Sequence, residues 1–338
     1  MNYLVTGGTG FLGSNITKLL LDGGDTVFLL VHKFKDLKML GLADYPNLHL
    51  VQGDITDKTN LLSIAKEQKV PKIDYVVHCA NVVSFDKAER DILYKINVEG
   101  TENLLQVALR RKVKRFLYVS SVNALGFPEE GEVCDENTPY DFGKYNIPYM
   151  DTKYLAEQKV LEYTRKGLDC VIVNPGTVFG VGDIHKHSGE YIINIYNGVL
   201  KFYTQGGFTQ CIAKNVADGI QKALKYGKNG QRYILGGFNL SYKEFLDIVS
   251  DVLDRARPKI KIPNLFLPIA IYGLYLFNVL WKKLPKITPS VLIQIASKYL
   301  FYSSQKAIEQ LHYNPGTIED FKKAIKEQFL FYKQNELL

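Results

Sequence analysis

A chain of 338 residues, 46% hydrophobic and 23% charged, has the composition of a soluble globular protein with room for one large domain or a domain and a smaller companion; no stretch is polar enough for disorder. The formal net charge is +7, and lysines such as Lys33, Lys35, Lys38, Lys112, Lys114, Lys222 and Lys225 are scattered rather than interleaved with aromatics, so a nucleic-acid surface is not indicated. Such a charge suits solubility or the attraction of an anionic cofactor equally well. Cys79, Cys134, Cys170 and Cys211 match no zinc or CxxC spacing; no metal is expected, and reduced thiols in a cytoplasm are the simplest account.

Met1 to Thr6 carries no basic leader and runs straight into a glycine turn, which predicts a strand over Tyr3–Thr6 rather than a signal peptide. Phe11–Leu21 has helical periodicity and ends at Gly23-Gly24. Thr26–Val31 is an almost unbroken β-rich run, as a strand buried on both faces requires. Leu48–Gln52 predicts the next strand, 59–68 a helix, Tyr75–His78 a strand and Glu89–Arg111 one long helix. Arg115–Ser120 reads as a strand, Pro148–Arg165 as a helix and Cys170–Val173 as a strand. This alternation predicts an α/β, Rossmann-type doubly wound parallel sheet. After Gly176 the alternation decays, although Gln231–Leu235 should return to the sheet. Residues 1–175 with about 206–238 are assigned to the dinucleotide-binding domain. About 176–205 and 239–338 are assigned to a smaller, mainly helical substrate lobe, interleaved with it.

The first strand ends in Thr6-Gly7-Gly8-Thr9-Gly10-Phe11-Leu12-Gly13. Glycines at positions 7, 10 and 13 let the backbone turn sharply and approach a pyrophosphate, and the helix that follows offers free N–H groups and the positive end of its dipole. The position between a strand and a helix supplies the context such a turn needs. Gly7, Thr9, Gly10, Phe11, Leu12 and Gly13 are therefore expected to hold the cofactor. An NAD enzyme often carries a carboxylate after the second strand; this chain has Val31-His32-Lys33-Phe34-Lys35 there. Cations in that position favour NADP(H) over NAD(H), through His32 and Lys33. Asp54 and Ile55 follow the third strand, where a carboxylate can accept from an adenine amino group; Ala80 and Asn81 follow the fourth, where small residues let a cofactor lie close.

Tyr149 and Lys153 stand four apart on the helix predicted over Pro148–Arg165 and share one face of it. An ammonium beside a phenol lowers the phenol's pKa, and such a tyrosine can exchange a proton with an alcohol or carbonyl. Ser121, just past a strand, can hydrogen-bond the same substrate oxygen. Together with the glycine turn, and in this order, these residues make the chain resemble an extended short-chain dehydrogenase/reductase. The resemblance is carried by residues 6–13, Gly53-Asp54-Ile55, His78-Cys79-Ala80, Asn97-Val98-Glu99-Gly100-Thr101, Val119-Ser120-Ser121, Tyr149 to Lys153 and Asn174-Pro175-Gly176-Thr177-Val178-Phe179-Gly180. It covers about residues 3–183. It implies Tyr149 as general acid/base and Lys153 as a ribose-binding partner that tunes it. Ser121 becomes the donor to the substrate oxygen, Asn97 joins the cofactor set, and backbone around Pro175 and Val178 faces the carboxamide.

Within that family, 4,6-dehydratases follow the active-site Ser or Thr with Asp-Glu, whereas this chain has Ser121-Val122-Asn123-Ala124. Nucleotide-sugar epimerases carry an arginine in the region that here reads Thr209-Gln210-Cys211-Ile212-Ala213-Lys214. The chain resembles the dihydroflavonol-reductase-like and 3β-hydroxysteroid-dehydrogenase-like branch more closely. The expected reaction is NAD(P)(H)-dependent interconversion of a carbonyl and an alcohol on an apolar small molecule. An epimerase acting on nucleotide sugars and a non-catalytic dinucleotide sensor stand as alternatives, and a homodimer is left open.

Leu265–Leu280 is nearly all apolar; Arg255, Arg257, Lys259 and Lys261 precede it and Trp281-Lys282-Lys283 closes it. At about sixteen residues it is short of the ~20 that span a bilayer. A buried helix of the second lobe is the first expectation for 265–281, ahead of a lid over an apolar substrate or a contact with a membrane surface.

Overall fold

The computed structural model describes residues 1–32, 37–68, 70–127, 131–280 and 296–338. The chain opens with β1 (Asn2–Thr6), α1 (Phe11–Asp22), β2 (Thr26–Val31), β3 (Leu48–Gln52), α2 (Lys58–Glu67) and β4 (Tyr75–His78). There follow α3 (Arg90–Leu93), a π-helical turn (Tyr94–Glu99), α4 (Gly100–Arg111), β5 (Arg115–Val119), α5 (Pro148–Arg165) and β6 (Cys170–Pro175). Next come β7 (Thr177–Phe179), α6 (Gly189–Tyr196), β8 (Phe202–Tyr203), β9 (Gly207–Ile212), α7 (Ala213–Tyr226) and β10 (Arg232–Leu235). The described chain ends through β11 (Phe238–Ser241), α8 (Tyr242–Val252), β12 (Ile260–Lys261), α9 (Leu267–Leu280), β13 (Tyr299–Leu300) and the helices Gln305–Leu311 and Ile318–Gln334.

Seven strands form a parallel sheet in the order β10-β6-β5-β4-β1-β2-β3. Strand residues alternate between its two faces. Along β5, Leu117 and Val119 join a core with Ile16 and Leu20 of α1 and Val216 and Ile220 of α7. Phe116 and Tyr118 join the opposite core with Leu104 and Leu105 of α4 and Ala156 and Val160 of α5. Both faces are covered, which explains the continuous apolar runs. The late strand β10 pairs with β6 in parallel, as the sequence indicates. The order reverses beside β1, and that switch point is where an open α/β sheet leaves a crevice at its carboxyl edge.

Two elements differ from their sequence-based description. The long helix expected over Glu89–Arg111 is broken by the π turn at Tyr94–Glu99. The extra residue in that turn accompanies Asn97 reaching back to Val82, whose N–H donates to Asn97 Oδ1 at 2.8 Å and whose carbonyl accepts from Nδ2 at 2.9 Å. Beside its helices the second lobe carries short strands, and β9, from the stretch assigned to the dinucleotide-binding domain, joins them, pairing antiparallel with β11 and parallel with β7 and β13. Strands of two to six residues carry no readable period. A Cβ on Gly207 would lie 2.5 Å from the Leu240 carbonyl oxygen, so close pairing there depends on the missing side chain. The core of this lobe is aromatic, with Phe179 against Phe245 at 5.1 Å and against Phe321 edge-on at 5.4 Å.

Candidate active site

The turn after β1 is shaped by the glycines that the sequence singles out. Gly7 has φ +68°, and a Cβ there would lie 2.6 Å from the Ala80 nitrogen. A Cβ on Gly13 would overlap the Gly7 carbonyl oxygen. Gly10 is extended and caps α1, so the first N–H groups of that helix open onto the turn. The backbone thus forms a cradle that side chains would fill, which fits a dinucleotide pyrophosphate.

A cleft of about 1510 Å³ runs along the carboxyl edge of the sheet. It is lined by Gly7, Thr9, Gly10, Phe11, Leu12, Gly13, His32, Asp54, Ile55, Ala80, Asn81, Pro175 and Val178. Ser121 and Tyr149 stand in the same cleft. His32 Nδ1 lies 3.5 Å from Asp54 Oδ2, and Asp54 Oδ1 also accepts from the Thr56 N–H and hydroxyl. Lys33, the other cation expected at this end, lies outside the described residues.

Two expected site residues do not line the cleft. Asn97 is buried and its amide is spent on Val82, with a further hydrogen bond from Nδ2 to Thr152 Oγ1 at 3.2 Å. It orders the loop that presents Ala80 and Asn81. Lys153 is buried beneath the floor of the cleft, where Nζ donates to the Val119 carbonyl at 3.0 Å and stands 5.1 Å from the centre of the Tyr118 ring. Burial lowers its pKa to about 8.

The lowered phenol pKa expected for Tyr149 is corrected by this geometry. Burial pushes Tyr149 up to about 12, and only the Ser121 hydroxyl beside it opposes the rise. The ammonium that was to stabilise the phenolate is directed at Val119 instead, and it is itself weakened by the same dry surroundings.

Several supporting residues carry no readable sequence signal. Glu157, one turn beyond Lys153, is fully buried; Oε1 accepts from Asn174 Nδ2 at 2.6 Å and Oε2 pairs with Arg232 Nη2 at 3.2 Å. Asn174 Nδ2 also donates to the Ser121 carbonyl at 2.8 Å, so the chain of contacts fixes the serine's backbone. The four-residue offset from Lys153 is the one cue that could have flagged Glu157. His78 is buried between hydroxyls, with Nδ1 2.6 Å from Thr6 Oγ1 and Nε2 2.9 Å from Thr101 Oγ1. Thr101 donates its proton to the Asn97 carbonyl at 2.6 Å, so the imidazole carries its hydrogen on Nε2 and accepts from Thr6. Burial drives its pKa down to about 3, which keeps it neutral. Cys79 borders the cleft as a thiol pushed up to about 12, too weak an acid to act as a nucleophile.

The far half of the cleft is walled by Phe85, Tyr191, Phe202, Tyr203, Phe208, Leu246 and Leu300, together with the polar side chains of His185, His187 and Glu190. Lys186 and Lys201, the cations available in this region by sequence, do not line it. Asp183, fully buried, ties the loop before α6 by accepting from the N–H groups of His187, Ser188 and Gly189 at 2.9 to 3.1 Å. It also accepts from Gln328 Nε2 at 3.2 Å and Tyr332 Oη at 3.0 Å. Among the described residues no group of acidic, histidine or cysteine side chains could hold a metal ion.

Comparison with known proteins agrees with this architecture. The chain is 31% identical over 317 residues to a Synechocystis sp. protein provisionally named dihydroflavonol 4-reductase, covering 91% of this chain and 89% of that protein. It is 29% identical over 267 residues to sterol demethylase protein B of Methylococcus capsulatus, covering 78% of each. The crystal structure of gox2253 superposes with a TM-score of 0.84 at 30% identity over 99% of both chains. A family model described as NAD dependent epimerase/dehydratase matches residues 3–236. With the glycine cradle, the sheet order and this match over most of its length, the chain belongs to the NAD-dependent epimerase/dehydratase family of extended short-chain dehydrogenases/reductases.

Proposed function

We propose that the protein is an NADP(H)-linked oxidoreductase interconverting a carbonyl and an alcohol on an apolar small molecule. One observation carries the reading: Ser121 and Tyr149 stand in a single cleft between the glycine cradle and a far half walled by aromatic and aliphatic side chains beside His185, His187 and Glu190. Gly7, Thr9, Gly10, Phe11, Leu12 and Gly13 would hold the pyrophosphate, His32 and Lys33 the adenosine side, and Pro175 and Val178 the carboxamide end. The dinucleotide, when bound, supplies or accepts the hydride.

In the reducing direction, the substrate oxygen accepts hydrogen bonds from Ser121 Oγ and Tyr149 Oη. A phenol with a pKa of about 12 stays protonated at neutral pH, and Tyr149 gives that proton to the oxygen as hydride reaches the carbon. From its place on the Val119 carbonyl beneath the cleft floor, Lys153 would aid the resulting phenolate by its charge alone. Glu157 and Asn174 hold the Ser121 backbone in register for this exchange.

The apolar substrate class has two supports. Neither Lys186 nor Lys201 lines the far half, where a nucleotide diphosphate would need cationic partners. The relatives at 31% and 29% identity carry names that refer to a dihydroflavonol and a sterol. A thermal-shift panel at saturating NADP tests the reading. Steroid, flavonoid or long-chain keto compounds should raise Tm, and UDP- or GDP-sugars should not. The reverse pattern would promote the nucleotide-sugar epimerase. Binding of NADPH with no turnover of any carbonyl would favour a dinucleotide sensor.

A further inference from the structure

The apolar segment 265–280 takes no part in the chemistry above, and several of its described side chains are not buried as the sequence led us to expect. Its base is the strand pair β8–β12, where Ile260 and Lys261 lie beside Phe202 and Tyr203. The Ile262 N–H donates to the Tyr203 carbonyl at 2.9 Å, and a 3₁₀ turn at Asn264–Phe266 leads into α9. Leu267 is buried and anchors the start of the helix. On either side of it Leu265, Ile269, Tyr272 and Leu276 are 81%, 70%, 49% and 59% exposed. Spacings of three and four residues put Ile269, Tyr272 and Leu276 on one face of the helix, and Leu265 and Phe266 stand exposed in the 3₁₀ turn before it. Single exposed apolar residues need no explanation, but a continuous stripe marks a contact surface.

The charge pattern says what kind of contact. Between Asp254 and Glu309 the sequence has no acidic residue and nine lysines and arginines. That stretch contributes +9, so the rest of the chain carries −2 of the total of +7. Lys259 and Lys261, both exposed, stand directly before the stripe. At 14 residues α9 is ~21 Å long, less than the ~30 Å of a bilayer's hydrocarbon core. No described helix is long and apolar enough to cross a membrane.

We propose that α9 and the turn before it dock into the interface of an anionic lipid bilayer, with the stripe among the acyl chains and Lys259 and Lys261 at the headgroups. The docking rests on the stripe and its charge and not on the substrate reading. It has a consequence for that reading: Phe202 and Tyr203 of the strand pair before α9, and Ile262 just after that pair, also wall the cleft, so the cleft borders the docked surface.

Vesicle flotation of the full chain tests this. It should float with phosphatidylcholine vesicles containing 30% phosphatidylglycerol and bind pure phosphatidylcholine at least about tenfold more weakly, since each cation near an anionic surface is worth about fivefold. Lys259→Glu with Lys261→Glu should weaken binding at least about tenfold. Leu265→Asp with Ile269→Asp should abolish it. Both variants alter exposed side chains, so NADPH affinity and the unfolding midpoint should stay at wild-type values. Failure of the wild type to float with the anionic vesicles, or flotation of both variants like wild type, would overturn the proposal. So would dimers in light scattering that Ile269→Asp dissolves, without vesicle binding, because the stripe would then be covered by a second copy.

Discussion

Lys153→Met separates the demands of chemistry from those of folding. The ammonium is buried, and its pKa drops from the ordinary 10.5 to about 8 through desolvation. At about 1.4 kcal/mol per pH unit, holding that proton costs the folded state about 3.5 kcal/mol wherever the unfolded chain is also protonated. The sign follows from the direction: a lysine whose folded pKa is lowered binds its proton less well in the native state. Below pH 8 the full cost is present, and stability should rise as pH climbs from about 8 to 10.5. Methionine keeps the length and volume of the side chain and removes the charge. It also removes the charged hydrogen bond to the Val119 carbonyl, worth about 1.5–3 kcal/mol, so the variant should be between unchanged and about 2 kcal/mol more stable at pH 7. Turnover should fall by at least about 10²-fold. Urea unfolding followed by circular dichroism at pH 7 and at pH 10.5 measures the stability difference, which should shrink at the higher pH. Destabilisation beyond about 1 kcal/mol at pH 7 would refute the reasoning, because the ammonium would then be held by more than one carbonyl.

Tyr149→Phe removes only the phenol oxygen beside Ser121; kcat should drop about 10²–10⁴-fold with NADPH affinity nearly unchanged, and more than a tenth of wild-type kcat would exclude Tyr149 as the proton donor. NADPH should bind tighter than NADH by fluorescence titration, and His32→Ala should weaken NADPH more than NADH; equal affinities in the wild type would remove the cationic end of β2 from the argument. Asp183→Ala orphans the N–H groups of His187, Ser188 and Gly189 and the donors of Gln328 and Tyr332, so the unfolding free energy should fall by about 3–5 kcal/mol; a loss under 1 kcal/mol would mean that the loop re-pairs elsewhere.

By itself the sequence determined the features that local chemistry dictates. Continuous apolar runs mark strands covered on both faces, and β2, β3, β4 and α5 lie where their patterns indicate. The glycine turn is legible because only glycine accepts the backbone of position 7 and the close approach at position 13. Ser121 and Tyr149 are legible because their order relative to that turn survives folding. Decisions that depend on distant neighbours were taken by the tertiary structure. Lys153 shares a helix face with Tyr149, yet the direction of its ammonium depends on Val119, 34 residues away. Asn97 leaves the cleft because Val82 claims both ends of its amide. Glu157, Asn174 and Arg232 come from a helix and two strands and meet only when the sheet closes. The short strands of the second lobe have no period to read, since their pairing energy comes from partners up to 92 residues distant. Whether an apolar helix is buried or exposed depends on what covers it, and the composition of 265–280 is the same in either case. The fold leaves Leu265, Ile269, Tyr272 and Leu276 exposed.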